Sequence, residues 1–328
     1  MEKIKKALVI RIGAFGDCVL ITPVIARLKE LGYHITLYTG ERGMDIFKHD
    51  TRIDKFIEHK KETPIDDLHK IWKKLEKQVK YDEVLNFTES IECNVALHPV
   101  SPMYVYPKKE RAVVCNKNYY EVTADISKFE GVGNTPSLMF TKEEEYRALS
   151  HIKDGKFNIL WCLSGSGKNK VYPWTDYVIG DLVKSHPNVH IITVGDNKCQ
   201  ILEDVANTFP KENITQLAGK ISIRESMALT KLVDLVISPD TGLLHSSGCF
   251  DTPKIGLLGH TTIENITKHF KNDYSLESDC ECAPCFRLIY EYDVQCPIDP
   301  VTNAAWCMAN IKPKRLYNRI VEVIDATS

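Results

Sequence analysis

Nowhere in these 328 residues does an apolar run approach the roughly 20 residues of a membrane span. The run Ala7–Ile12 is short and gives way to Gly13, Gly16 and Asp17. It lacks the longer apolar core and cleavage site of a signal peptide, so the chain is expected to be cytoplasmic. A strong charge of either sign is missing too. Lys and Arg number 42 against 44 Asp and Glu, a formal net charge of −2. That argues against a protein that coats nucleic acid over its whole surface, though not against a local basic face. There is no internal repeat and no low-complexity segment. Hydrophobic residues at 43% and charged residues at 26% exclude disorder, collagen and coiled coil. Cysteine, by contrast, is plentiful: 11 residues, with five crowded between Cys280 and Cys307. In a reducing compartment these read as metal ligands or buried thiols rather than disulfides.

The length suits about two domains. Short β-branched runs alternate with amphipathic ones. Strands are expected at Ala7–Ile12, His34–Tyr38, Glu83–Phe87 and Ala112–Cys115, and helices at Cys18–Leu31, from Thr63-Pro64 onward, and over Thr141–Ile152. The pattern restarts with strands at Asn158–Leu163, Val189–Val194, Asp234–Ser238 and Lys254–Leu258. Helices are expected at Trp174–Lys184, Ser222–Leu232 and Pro313–Ile324. Strands alternating with helices imply parallel sheets covered on both faces. Two such series imply two Rossmann-like domains with a boundary near residues 150–156 and a site in the cleft between them.

Three turns carry candidate chemistry. Gly13-Ala14-Phe15-Gly16-Asp17 joins the first strand to the first helix. Its spacing is G-x-x-G rather than G-x-G-x-x-G, and a carboxylate in the first helical turn would repel a pyrophosphate. Glu41 as a ribose ligand keeps a dinucleotide oxidoreductase open as an alternative. Asp17 at a strand end suits a general base, or it serves only the helix N-terminus. Ser164-Gly165-Ser166-Gly167-Lys168-Asn169-Lys170 is not a Walker loop, yet its hydroxyls, backbone N–H groups and cations suit phosphate oxygens, or it is a solvated turn. In Asp240-Thr241-Gly242-Leu243-Leu244-His245, Thr241 and Gly242 open a helix and offer N–H groups to an anion. Asp240 can accept sugar hydroxyls or cap the helix, and His245 lies one turn in. Ser222 and Glu225 have capping-box spacing.

Gly16-Asp17, Lys170-x-x-Pro173, Ser222-x-x-Glu225 and Asp240-Thr241-Gly242-x-x-His245 occur here in one order. That ordered set resembles glycosyltransferase family 9, the ADP-heptose:lipopolysaccharide heptosyltransferases, over nearly the whole chain. The resemblance implies an α/β GT-B fold of two Rossmann-like domains facing a central cleft. The N-terminal, acceptor-side domain would span 1–153. The donor-nucleotide domain would span 154–312 with a Cys-rich insert at 280–307. A closing helix over 313–328 would pack back toward the N-terminal domain. It implies inverting transfer of a sugar, a heptose from ADP-heptose, to a hydroxyl of lipopolysaccharide core or a related glycan, with no catalytic metal. Asp17 would be the general base. Ser166 and Lys170 would contact the diphosphate, Glu225 the ribose, Thr241 and Gly242 the phosphate, and Asp240 the sugar, with His245 supporting that loop. Gly13, Lys168 and His260 would be further donor or loop contacts.

There are departures. The family's Gly-Pro-Thr reads Gly259-His260-Thr261 here, and Glu89–Tyr106, where acceptor contacts would be expected, shows nothing to match. From Lys60 to Lys80, seven Lys against four acids make a basic face. That face would suit an anionic acceptor, DNA or a membrane periphery, or is simply solvated; Trp72 within it reads as core. Cys282-x-x-Cys285 followed by Cys296 and Cys307 has the spacing of a structural Cys₄ site for zinc or iron, with Cys280 as a substitute ligand, or the thiols are only buried. A family 9 subset that glycosylates autotransporter proteins is similar in binding iron through four cysteines. The same chemistry on a protein side chain or a modified nucleobase is one alternative. A non-catalytic sugar-nucleotide binder is another.

Overall fold

The computed structural model describes residues 4–60, 65–88, 102–205, 212–287 and 296–327. Thr63, Pro64 and most of Glu89–Tyr106 lie outside these residues. The chain divides into two compact units, Met1–Asn94 with Tyr119–Met139 and Val95–Asn118 with Phe140–Ser328. It therefore passes from one unit to the other three times rather than once near residue 153.

Unit 1 alternates β1 (Lys6–Arg11), α1 (Phe15–Leu20), α2 (Thr22–Glu30), β2 (His34–Thr39), α3 (Glu41–Phe47), β3 (Lys55–Glu58), α4 (Ile65–Gln78) and β4 (Glu83–Asn86). The four strands form one parallel sheet in the order β3-β2-β1-β4. The central strand β1 is apolar throughout because both of its faces are covered. The single helix expected at Cys18–Leu31 is two, because Pro23 cannot continue the first and instead sits in the opening turn of the second. On α4, Ile71, Trp72 and Leu75 are half-buried and pack against the core residues Leu8, Ile10 and Tyr38. Lys70, Lys73, Lys74 and Lys77 are exposed.

Residues 112–115, expected as a strand, belong instead to α5 (Lys108–Cys115) in unit 2. Arg111 and Cys115 are buried four residues apart while Val113 between them is 81% exposed, a one-sided pattern that only a helix gives. The chain returns to unit 1 for α6 (Tyr119–Ser127). Unit 2 then runs through α7 (Lys142–Leu149), β5 (Phe157–Cys162), α8 (Thr175–Ser185), β6 (Val189–Val194), α9 (Gln200–Val205), β7 (Ile214–Gln216), α10 (Ile223–Leu232), β8 (Leu235–Pro239), α11 (Gly242–Ser247), β9 (Lys254–Leu258), α12 (Ile263–Ile266), β10 (Leu276–Glu277), α13 (Trp306–Asn310) and α14 (Pro313–Thr327). Its six strands are parallel in the order β10-β9-β8-β5-β6-β7. The closing helix, expected to return toward the N-terminal domain, buries Leu316, Ile320 and Val323 in the core of unit 2, where α8 contributes Val178, Ile179 and Leu182. Its apolar stripe is satisfied there. Helix α7 is held in the same unit by Glu144, which meets Arg224 of α10. Among the described residues no helix is long and apolar enough to cross a membrane.

Candidate active site

In unit 1 the turn after β1 is built around one carboxylate. Asp17 Oδ2 accepts the N–H of Ala14, the N-cap of α1, at 2.6 Å. Asp17 Oδ1 pairs with Arg11 Nη2 at 2.9 Å. Arg11 is only 1% exposed, and it also donates to the carbonyl of Phe87 after β4. A Cβ at Gly13 would lie 2.5 Å from Asp17 Oδ2, so glycine is what leaves room for the carboxylate. Asp17 thus does cap its helix, and its side chain remains 22% exposed at the C-terminal edge of the sheet. Glu41 opens α3 and is exposed.

In unit 2 the neighbouring strands β9, β8 and β5 end level with one another, with Pro239 beside Leu257 and Ile237 beside Trp161. The loops that follow them meet at Asp240. Lys170 Nζ donates to the Asp240 carbonyl at 2.6 Å and stands 3.8 Å from its Oδ2. His245 Nε2 is 3.5 Å from Oδ1, and His260 Nε2 is 3.5 Å from Oδ2. Burial alone would raise the Asp240 carboxyl. The Lys170 ammonium, the hydrogen bond from His245 and His260 together hold it well below the usual carboxylate range. Burial, and then Lys170, pushes the His260 imidazole down to about 4. Near neutral pH His260 is therefore uncharged. Gly165 lies against the side chains of Lys170 and Thr241, and Ser238 Oγ is 3.0 Å from Thr241 Oγ1. Cys162 Sγ donates to the Ser164 carbonyl and approaches Thr241, tying the β5 loop to the β8 turn. Thr241 is the N-cap of α11 and Gly242 its first residue.

The remaining expected residues separate from this group. Ser166 is exposed on its loop, and the Lys168 side chain lies outside what is described. Glu225 is not among the contacts of Asp240. Its N–H donates to Ser222 Oγ, which is half of the expected capping box, but its carboxylate meets His151 Nε2 at 2.8 Å instead of the Ser222 N–H.

In the cysteine-rich stretch, Cys280 Sγ and Cys282 Sγ are 3.3 Å apart, and Cys280 and Cys307 lie in the unit 2 core with Cys282 and Cys296 packed against it. Burial raises the Cys285 thiol, opposed by the backbone N–H of Arg287 and by the charges of Arg287 and Arg111. Those two arginines were not foreseen. Arg111 Nε donates to the Cys285 carbonyl, and Arg287 to the carbonyl of Tyr104. Cys280, Cys282, Cys285, Cys296 and Cys307 are free thiols. Among the described residues no three His, Cys, Asp or Glu side chains are set as metal ligands.

Comparison with known proteins agrees with this architecture. The model of glycosyltransferase family 9 (heptosyltransferase) matches residues 100–292. Lipopolysaccharide heptosyltransferase 1 of Campylobacter coli is 26% identical over 133 residues, 38% of this chain and 39% of the relative. The match thus spans well under half of that relative's length. A glycosyltransferase family 9 structure from Veillonella parvula superposes with a TM-score of 0.71 at 14% identity, covering 99% of this chain and 98% of that one. The dodecameric iron-containing heptosyltransferase TibC of E. coli, in complex with ADP-D-β-D-heptose, superposes with a TM-score of 0.62 at 12% identity. That match covers 100% of this chain and 78% of TibC. At these identities the structural likeness speaks for the fold.

Proposed function

This chain belongs to glycosyltransferase family 9, and on that premise we propose that it transfers a heptose from ADP-heptose to a hydroxyl of a lipopolysaccharide core or related glycan. One observation carries the donor assignment: three loops after three adjacent parallel strands bring Lys170, Asp240, His245, His260 and the Thr241-Gly242 turn to one edge of the unit 2 sheet. Ligands of open parallel sheets bind at that edge. When the glycosidic bond breaks, negative charge grows on the leaving diphosphate. Lys170 and the backbone N–H groups at Thr241 and Gly242 supply fixed positive ends to stabilise it. The Asp240 carboxylate accepts hydroxyls of the sugar. Asp17 takes the proton from the acceptor hydroxyl as it attacks, and attack opposite the leaving group inverts the sugar. Glu225 binds the ribose in this reading. The C. coli relative is named for lipopolysaccharide, and TibC holds ADP-D-β-D-heptose; both support the acceptor and donor chosen.

Calorimetry and thermal shift against ADP-, UDP- and GDP-sugars and NADH test this directly. ADP-heptose and ADP are expected to raise the melting temperature by roughly 5 °C at a hundredfold excess over Kd. Stabilisation by UDP- or GDP-sugars alone would move the donor assignment, and stabilisation by NADH but not ADP would replace it with a dinucleotide enzyme.

For the cysteines the test of fit is donor chemistry. Thiolates suit zinc or iron. Arg111 Nε donates to the Cys285 carbonyl, and the charges of Arg287 and Arg111 oppose, without overcoming, the rise that burial imposes on the Cys285 thiol. Cys282, Cys285, Cys296 and Cys307 would hold such a metal, with Cys280 in contact with the first. A closed four-thiolate site leaves no position for substrate, so its contribution would be structural. Freshly purified protein is expected to carry about one equivalent of iron or zinc per chain by elemental analysis. A content well below that would leave only buried thiols.

A further inference from the structure

Two contacts join the cysteine-rich stretch to the residues after β9. At Gly259 a Cβ would stand 2.8 Å from Met308 Sδ and 2.9 Å from Cys307 Sγ, closer than a real Cβ comes to either. Helix α13 presses both sulfurs onto the backbone, and a side chain at 259 would have to displace them. One residue on, the carbonyl of His260 accepts the N–H of Phe286 at 2.8 Å. Phe286 follows Cys285, is 1% exposed and has φ of 55°. A bulky residue keeps that left-handed conformation only where its surroundings force it, and strain of this kind collects where a chain must hold something in place. Between these two contacts lies the imidazole that reaches Asp240 Oδ2.

We infer that the cysteine-rich stretch is a brace: through Gly259 and Phe286 it sets His260 against Asp240 and so shapes the donor site. Cys307, Met308 and Phe286 are positioning residues that act through His260. The inference takes its ligand from the donor reading above, whereas the brace itself rests on packing and a backbone hydrogen bond. It does not depend on whether the thiols hold a metal. Displacing Gly259 moves His260 off Asp240. The carboxylate then loses one of its three side-chain partners, and Lys170, which holds the same residue, loses a fixed neighbour.

A double-mutant cycle tests it, with Gly259→Ala, His260→Ala, the pair and the wild type titrated with ADP by calorimetry. Gly259→Ala is expected to weaken ADP binding about tenfold in the wild-type background and by less than about twofold once His260 is alanine, because the group it displaces is gone. Equal effects in both backgrounds, or unchanged affinity in Gly259→Ala, overturn the brace. A second arm measures urea unfolding of Gly259→Ala, Asp240→Asn and the pair. If wild type binds no ADP, the donor reading fails and this arm decides alone. Non-additive unfolding energies uphold the brace, and additive ones overturn it.

Discussion

Asp17→Asn is expected to lower kcat for heptosyl transfer by about 10²–10⁴-fold while ADP affinity stays within about twofold. Asparagine preserves the shape of the side chain, and its amide oxygen can still accept the Ala14 N–H that ends on Asp17 Oδ2. It cannot take a proton from a hydroxyl. It also withdraws the charge facing Arg11, whose guanidinium is almost fully buried. Stranding one member of a buried pair costs about 3–5 kcal/mol. Here the carboxylate is partly open to water and Arg11 keeps the Phe87 carbonyl, so the lower end applies. Steady-state release of ADP, read beside calorimetric ADP binding, separates the roles. A kcat within a few fold of wild type would leave Asp17 only its capping duty.

Glu144→Gln is expected to destabilise unit 2 by about 3–5 kcal/mol in urea unfolding. Glu144 Oε1 accepts from Arg224 Nε at 2.5 Å and Oε2 from Arg224 Nη2 at 2.8 Å, a bidentate pair in which each side chain is 5% exposed. The same carboxylate closes the capping box of α7 by accepting the Thr141 N–H at 2.9 Å. Arg224 also lies over the Phe140 ring, 5.2 Å from its centroid. The amide keeps one acceptor but takes the carboxylate charge away from the buried guanidinium. Replacing both partners by apolar residues, Glu144→Leu with Arg224→Met, is expected to recover most of the loss, because no charge is then left unpaired. A loss below about 1 kcal/mol in Glu144→Gln would show that water or another group compensates.

Much of the local structure is legible along the chain because it follows from neighbours. The buried strands β1, β5, β6, β8 and β9 stand out as apolar β-branched runs, since a central parallel strand is covered on both faces. The short strands β3, β7 and β10 do not stand out, because sheet edges tolerate mixed composition. Ala112–Cys115 reads as a strand from its valines, yet it is a helix. The burial of Arg111 against the carbonyls of Tyr106 and Cys285 outweighs the β propensity of two residues. The Thr141/Glu144 spacing announces a helix start. That the glutamate turns inward to an arginine 80 residues away is invisible along the sequence.

By itself the sequence determined the alternation of strands and helices, the glycine turn that carries Asp17, the Asp240-Thr241-Gly242 turn and the crowding of cysteine. These are properties of short windows, where spacing and residue type are enough. The tertiary structure alone decided which groups meet. Lys170 reaches Asp240 across 70 positions and His260 across 20, because strand order brings the ends of β5, β8 and β9 side by side. That order is settled by packing over the whole sheet and is written in no single window. For the same reason Glu225, close to the motif in sequence, faces His151 rather than Asp240, and the surplus cysteine noted at the start lies against the turn that carries His260.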